Sequence, residues 1–457
     1  MWFRKNAAWA MVSLLSCMAA HPAWAKATPE QVAALDGPKF TCMGAERAGT
    51  ASGVAAYTGK WLDSWPGMKS ATGYDPGPYA AEKPLFSITA ANMVKYSDKL
   101  TAGQKALFAK YPKVYRMDVY PSHRDFRVPD WVCGVAKKNA AESEVVHEGL
   151  GATGTTGAHP FPFPKNGSEA ILNVLMPYRI WNDASVNDIA NVFANGTIAW
   201  GKQRFRTLSL LADPKVRGSL QDRIQAYFYN EVLLPPRDKG SIAVGTQPND
   251  FSNATTQAWQ YIPGTRRVRQ APDVCCDYPV PPAGMRTVDD DYIFNGPPKR
   301  YTWKLVGKKE IYIPWNNFKT NDTAVKYSQL IQPGTINPDY MRYELHRVWV
   351  IEANQREGFR HIYKKRQIYV DEDTWLAVWG DNYDQQDQLW RVAMIAYRYA
   401  PNAQAYHRGA SIYHDVLQGS YEAGYLVNEA GADWWKLNDP DLTPQMFSPK
   451  GAAMGGH

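Results

Sequence analysis

Ser122, His123 and Asp125, with Asp118 nearby, form the closest grouping in this sequence of residue types that perform nucleophilic catalysis. A serine nucleophile needs a histidine base and a carboxylate in mutual contact, and nearness in sequence does not establish that contact. The G-x-S-x-G elbow that presents the serine of α/β-hydrolases is also missing. The pattern favours a loop anchored by Arg124 and Asp125, so we predict no catalytic residue and no enzymatic activity.

Two acidic segments, Asp289–Asp291 and Asp381–Asp387, could attract a divalent cation. Neither matches the D-x-[DN]-x-[DN]-G spacing of a calcium loop, so solvated turns are expected at both. The glycines of residues 151–157 lack the following Lys-Ser/Thr of a phosphate-binding loop, and no H-E-x-x-H is present. The sequence therefore predicts neither a metal nor a cofactor.

The cysteines agree with export to an oxidising compartment. Beyond Cys17 there are four, Cys42, Cys133, Cys275 and Cys276, and an even number in an exported chain indicates disulfides. All four are candidates, and their connectivity is left open. The adjacent pair Cys275-Cys276 could close a ring on itself, or each could bridge outward. A redox-catalytic pair is disfavoured because no C-x-x-C occurs.

The N-terminus has the pattern of a cleaved secretory signal. Two basic residues precede an apolar run over residues 7–20, and Ala23 and Ala25 supply the small side chains that a signal peptidase reads. We predict a signal peptide over residues 1–25 and a periplasmic mature chain. No later segment has the roughly 18 consecutive apolar residues of a membrane-spanning helix.

Leu14-Leu15-Ser16-Cys17 offers an alternative, because it loosely resembles a lipoprotein box that would make Cys17 a lipid-modified N-terminus. The apolar run before Cys17 is short, and Leu15 is unusual at its position. We therefore favour the cleaved signal peptide over an anchored lipoprotein.

Composition excludes several classes of protein. The 457 residues include 13% aromatics, with 17 Trp and 27 Tyr, which a disordered chain or a coiled coil would lack. Removal of Arg4 and Lys5 with the signal lowers the formal net charge from +7 to +5. This charge is small and dispersed, so no nucleic-acid partner is expected.

The elements predicted from periodicity divide the mature chain into three parts. Residues 26–180 form a loop-rich N-terminal arm with helices, packing on a sheet, and the helices are predicted over 92–111 and 168–176. Thr89 and Ser168 are the expected N-caps. Residues 418–457 form a C-terminal tail, continuous with the same domain.

Residues 181–417 are predicted to form an antiparallel sheet, because short local turns connect its strands. Alternation along these strands is imperfect, which fits either a sheet curled around a cavity or an ordinary sandwich. The predicted strands are 196–211, 225–233, 257–270 with a Pro-Gly turn, a hairpin of 301–306 with 310–314, and a meander of 342–353, 361–370, 374–383 and 389–399.

Several segments taken together resemble a family of exported bacterial proteins that is classed as a domain of unknown function and related to outer-membrane lipoprotein-sorting (Lol-type) carriers. The resemblance covers nearly the whole mature chain. It rests on residues 83–93, 118–124, 259–272, 294–317, 342–349 and 369–375.

The resemblance implies a mainly β fold with a few helices: a large curved antiparallel sheet, or half-open β-barrel, of the lipoprotein-carrier type. It implies a concave face that takes acyl chains. It also implies two partners, an inner-membrane transporter of the resistance-nodulation-division (RND) type and an outer-membrane protein.

A periplasmic carrier or adaptor of lipids or other hydrophobic molecules, within an outer-membrane lipid or lipoprotein transport system, is therefore the leading functional hypothesis. The alternative is an interaction module that binds the RND-type transporter and the outer-membrane protein without carrying a ligand. Aromatic side chains on a rigid sheet can enclose an apolar ligand at small entropic cost. The candidate lipid-binding residues are Trp303, Tyr312, Trp315, Trp349, Trp375 and Trp379.

Overall fold

The computed structural model describes residues 26–68, 75–216, 224–252, 256–271, 275–430 and 435–456. The predicted signal peptide and Cys17 lie outside these residues. The described helices are α1 (Pro29–Ala34), α2 (Ala102–Lys110), α3 (Asp130–Glu142), α4 (Gly167–Leu175), α5 (Tyr327–Leu330) and α6 (Pro449–Gly455). No helix in the described ranges is both long enough and apolar enough to cross a membrane.

Strands dominate the described chain, which confirms the predicted mainly β class. They are β1 (Phe86–Ile88), β2 (Met117–Val119), β3 (Glu144–Val146), β4 (Gly151–Thr153), β5 (Asn182–Val192), β6 (Ile198–Ser209), β7 (Ile224–Leu234), β8 (Ile242–Pro248), β9 (Gln257–Ile262), β10 (Arg267–Gln270), β11 (Tyr301–Pro314), β12 (Tyr343–Gln355), β13 (Lys365–Asp371), β14 (Ala377–Tyr383), β15 (Leu389–Ala400), β16 (Ala405–Asp415), β17 (Ser420–Leu426) and β18 (Trp435–Leu437).

Sixteen of these strands form one large open sheet, in the order β1-β2-β12-β13-β14-β15-β16-β17-β5-β6-β7-β8-β9-β10. β11 also pairs with β12, and β18 also pairs with β5, while β3 and β4 form a separate hairpin. Every described pairing is antiparallel except the single contact between β2 and β12. The predicted antiparallel sheet is therefore confirmed.

The sheet curves so that the end of β11 approaches β15. Three residues beyond the end of β11, the Asn317 N–H donates to the carbonyl of Tyr397 in β15 at 2.9 Å. Since β12, β13 and β14 separate β11 from β15 within the sheet, this bond requires the sheet to curl. The Trp315 ring lies 4.2 Å from the Tyr406 ring of β16 inside the curve.

Two predicted elements differ in detail from the structure. The predicted hairpin at Gly307 is a single strand, β11, because it pairs with β12 along its whole length and only the register shifts near Gly307. The predicted helix over 92–111 is a 3₁₀ segment, Met93–Lys99, followed by α2. Thr101 and Gln104 form the capping box of α2, so the helix begins later than the Thr89 cap predicts.

The predicted helix over 168–176 is observed as α4, one residue earlier at each end. Its N-cap is Asn166 rather than Ser168, because the Asn166 side chain accepts from the Glu169 N–H at 2.9 Å. Asparagine and serine are about equally favoured as N-caps. The residue types alone therefore did not decide between Asn166 and Ser168.

The N-terminal arm is held by bonds within itself and by bonds to the sheet. Within the arm, a disulfide joins Cys42 to Cys133 of α3. Arg347 of β12 donates to the carbonyls of Ala48, at 2.9 Å, and Glu46, at 2.6 Å. Arg124 donates to the same Glu46 carbonyl at 2.7 Å. These bonds fix an arm that contains little regular structure of its own.

Candidate functional site

The six aromatic residues predicted to bind lipid lie in or against the packed core. Tyr312, Trp315, Trp375 and Trp379 are buried, and Trp303 and Trp349 are partly buried against the same core. Trp349 stacks on Trp375 with ring centroids 5.8 Å apart. Ligand binding by these side chains stays a prediction. None of them lines the cavity between β6–β9 and residues 275–297.

A cavity of about 240 Å³ lies between strands β6–β9 and residues 275–297, which we call the covering segment. An apolar cavity of about 150 Å³ is large enough to hold benzene, so this one has room for part of an apolar ligand. Tyr278 of the covering segment lines it and is 41% exposed to solvent.

The floor of the cavity consists of alternate residues on neighbouring strands, because successive side chains of a strand point to opposite faces. In one cross-strand row Phe205 of β6 lies beside Asn230 of β7, which faces Ala243 of β8, which faces Gln260 of β9. All four of these residues line the cavity, and Val232 extends the floor along β7.

The opposite face of the same strands is covered by the C-terminal helix. Tyr229, Ile242 and Val244 pack with Phe447 and with Ala452 of α6 in a small second core. Because that face is filled by α6 and its neighbours, the cavity-lining face is the one left for another occupant. One face of these strands therefore packs against α6 and its neighbours, and the other faces the covering segment across the cavity.

Buried arginines of the sheet hold the covering segment in place. Arg366 of β13 donates to Asp289 at 2.6 Å and to Asp290 at 3.2 Å, and Arg408 of β16 donates to Asp291 at 2.5 Å. Solvated turns were expected at these three aspartates, and that expectation is wrong. The arginines that neutralise them come from strands far away in sequence, which no local pattern reveals.

Cys275 and Cys276 both line the cavity, and the structure leaves both thiols free. Of the alternatives left open, neither a ring between these two cysteines nor a bridge from either to another cysteine is present, and Cys42 and Cys133 pair with each other. The hydrogen bond from Cys276 lowers the pKa of Cys275 to about 7.

A second cluster of interest is fully buried in the core, away from the cavity. His346 and the carboxylates of Asp371 and Asp373 lie close enough together to hold a metal ion. Each is already engaged: His346 contacts Asp371 at 3.0 Å and Glu344 at 3.4 Å, and Arg124 donates two bonds to Asp373. Both carboxylates are therefore already paired, Asp371 with His346 and Asp373 with Arg124, and the cluster is an ion network.

His346 makes a pH-dependent contribution to stability. Burial by itself lowers its pKa, but the hydrogen bonds to Asp371 and Glu344 outweigh burial and raise the pKa to about 9. A folded-state pKa above the unfolded value of about 6.5 stabilises the fold fully below pH 6.5, and this stabilisation is lost as the pH rises through 9.

We expect the free energy of unfolding to fall by up to roughly 3 kcal/mol between pH 6.5 and 9 through this histidine. Urea unfolding of the wild type and of His346→Gln across that range measures it. The difference between the two proteins should shrink as the pH rises. A difference that stays constant with pH would show that protonation of His346 does not contribute to stability.

The Ser122, His123 and Asp125 grouping forms an anchored loop. The Ser122 hydroxyl accepts from the Ala55 N–H at 3.2 Å, which ties it to the N-terminal arm. The two ring nitrogens of His123 contact Glu82 at 2.7 Å and Asp125 at 3.2 Å. The histidine thus bridges the carboxylates of Glu82 and Asp125, while the serine hydroxyl bonds to the Ala55 backbone and not to the histidine.

The cavity is the site that sequence reasoning missed. Its floor residues alternate on β6, β7 and β8, but they include Thr207, Ser209 and Asn230 beside Phe205 and Phe228, so no clear apolar stripe appears. The aromatic content that guided the prediction is concentrated instead in the strands of the curled core. The alternating pattern of β6–β8 can be read from the sequence, but the segment that covers the cavity-lining face cannot.

The fold is an open antiparallel sheet with a cavity between strands β6–β9 and the covering segment. The comparisons with known proteins place the chain in a family. The family model described as "Protein of unknown function (DUF1329)" matches residues 87–452. The chain belongs to this family. It is 39% identical over 423 residues to the uncharacterized protein PA3922 of Pseudomonas aeruginosa, covering 91% of this chain and 92% of that protein.

Solved structures with a similar arrangement are more distant. A DUF1329 family protein from Desulfovibrio piger has 13% identity and a TM-score of 0.38, covering 60% of this chain and 92% of its own. The LolA superfamily protein NE2245 from Nitrosomonas europaea has 11% identity and a TM-score of 0.37, covering 62% of this chain and 97% of its own.

Proposed function

We propose that this protein is a periplasmic carrier of a lipid or another hydrophobic molecule, which it holds in the cavity between β6–β9 and the covering segment. The observation that carries the proposal is the cavity itself, with Phe205, Phe228 and Val232 on its floor. Each CH₂ of an acyl chain that leaves water for such a site contributes about 0.8 kcal/mol. A rigid sheet supplies this enclosure without reorganising.

The periplasmic location rests on two features. The predicted signal peptide over residues 1–25 directs export. The disulfide between Cys42 and Cys133 belongs to an oxidising compartment. An RND-type transporter and an outer-membrane protein, the partners implied by the family resemblance, are the proposed source and destination of the ligand.

Ala243→Trp provides a direct test, because Ala243 lies in the middle of the cavity floor, between Asn230 and Gln260. We expect the indole to fill the cavity and to weaken binding of the neutral probe N-phenyl-1-naphthylamine at least tenfold. Thr265→Trp is the matched control, since Thr265 is exposed in the turn between β9 and β10. Fluorescence titration of the full mature chain measures both.

Native mass spectrometry with lipid extraction of the protein purified from the periplasm completes the test. A wild-type protein that binds no probe and carries no apolar molecule would contradict the proposal. Equal probe binding by Ala243→Trp and the wild type would contradict the placement of the ligand. In the first case the alternative, an interaction module without a carried ligand, would become the better description. In the second case the carrier function would stand and the ligand would lie elsewhere in the protein.

A further inference from the structure

One end of the cavity differs in chemistry from its floor. Arg179 and Arg286 line this end together with Tyr292 and Tyr425, and we call it the arginine end. Arg408 lies directly behind, with its guanidinium 3.6 Å from the Tyr425 ring centroid and 4.1 Å from that of Tyr292. The cavity therefore has a mixed floor, with Phe205, Phe228 and Val232 among polar side chains, and a cationic end.

Two of these three arginines are neutralised by carboxylates. The Arg286 Nε donates to Glu422 of β17 at 2.8 Å, and Arg408 donates to Asp291 at 2.5 Å. These ion pairs are buried, so they hold the end of the cavity rigid. Neither arginine has a full charge left to offer a ligand.

Arg179 is different. Its guanidinium lies over the Tyr292 ring, 4.2 Å from the centroid, and it forms no ion pair with a carboxylate of the described residues. Its charge acts on two carboxyl groups, that of Asp291, which is already the ion-pair partner of Arg408, and that of Asp183 on β5. Burial raises the pKa of Asp183 to about 7, so this carboxyl is only partly ionised at neutral pH.

A partly buried cation without a counter-ion is costly, because it loses hydration that no partner replaces. An anion placed in the cavity would supply that partner. Arginine is well suited to the task, since its planar fork of N–H donors matches both carboxylate and phosphate oxygens. The apolar side chains of the floor, Phe205, Phe228 and Val232, would contact the rest of the same molecule.

We propose that the cavity binds a single-chain amphiphile with an anionic headgroup, whose carboxylate or phosphate contacts Arg179 while its apolar chain lies along the floor formed by β6–β9. This inference rests on the proposed carrier function and specifies its ligand class. Tyr292 is a positioning residue, because its ring holds the guanidinium at the arginine end.

Three ligands of equal chain length test the headgroup: palmitate, hexadecyl phosphate and hexadecanol. Each displaces N-phenyl-1-naphthylamine from the full mature chain at pH 8, below its own aggregation concentration. We expect at least one of the two anions to bind ten times more tightly than hexadecanol. The anion that binds more tightly identifies the headgroup as a carboxylate or a phosphate.

Arg179→Gln is expected to remove this preference and to leave hexadecanol binding within twofold of the wild type. Arg179→Lys should retain part of the preference, because it keeps the charge. Arg237→Gln is the matched control: it makes the same change in charge at a side chain that is 82% exposed, and it should behave as the wild type.

Equal affinity of the wild type for all three ligands would overturn the inference and leave the carrier function standing. An Arg179→Gln variant that loses all three ligands equally would also overturn it, since that result indicates a structural role for Arg179. Absence of any binding, including that of the neutral probe, would overturn both the inference and the carrier function.

Discussion

Replacing Cys42 and Cys133 together by serine is expected to lower the free energy of unfolding by roughly 4 to 5 kcal/mol. The disulfide closes a loop of 91 residues, and the stabilisation from restricting the unfolded chain grows with the logarithm of that length. The arm contains little regular structure, so without the bond it must be held by Arg124, Arg347 and packing alone. Urea unfolding followed by tryptophan fluorescence measures the loss.

Cys275→Ser with Cys276→Ser is the matched control, because it makes the same chemical change at two free thiols. We expect it to unfold within about 0.5 kcal/mol of the wild type, as substitutions without a lost contact do. A reducing agent should destabilise the wild type and this control, and leave the Cys42→Ser, Cys133→Ser protein unchanged. Insensitivity of the wild type to reduction would disprove the assigned bridge.

Arg124→Met is expected to cost about 3 to 5 kcal/mol of stability, the usual effect of leaving a buried charge without its partner. The guanidinium donates to Asp373 at 2.6 and 2.7 Å and to the carbonyls of Ala55 and Glu46. It also lies 3.6 Å from Glu372. Methionine fills much of the same volume but bonds to none of these groups, so Asp373 would lose both of its bonds to the guanidinium.

Arg116→Met is the comparison for Arg124→Met. Arg116 pairs with Asp118 and Asp339, but its side chain is 36% exposed, so water can replace the lost bonds. Exposed ion pairs contribute at most about 1 kcal/mol, and we expect a loss no larger than that.

The double variant Arg124→Met, Asp373→Leu should lose less than the sum of its single variants, because it removes both charges. Equal losses for Arg124→Met and Arg116→Met in chemical denaturation would contradict the buried network.

Local signals predicted much of the sheet. The meander strands were expected within a few residues of β12 to β15, and the strands near residues 196–211 and 225–233 match β6 and β7. These predictions succeeded because alternation and turn residues act over a few positions. The hairpin at Gly307 failed for the opposite reason: whether a glycine marks a turn or a bulge depends on the length of the partner strand, β12.

The predictions for individual side chains depended more on distant contacts. The aspartates at 289–291 look like a hydrophilic turn, yet Arg366 and Arg408 bury them. The aromatic residues Trp375 and Trp379 look suited to a ligand, yet other core side chains enclose them. A sequence pattern shows that a residue is apolar or charged, but it does not show what will face it.

The sequence by itself determined the class of fold, the family, the number of cysteines available for pairing and the antiparallel order of neighbouring strands, since these depend on composition and short-range periodicity. Only the tertiary structure decided which cysteines pair, which charges are buried and where a cavity remains. Those features arise where segments far apart in the sequence meet, as Arg124 and Asp373 do across 249 residues. Such contacts form only when the whole sheet has curved and packed. The candidate site is therefore defined by the tertiary structure, which places α6 on one face of β6–β9 and the covering segment on the other.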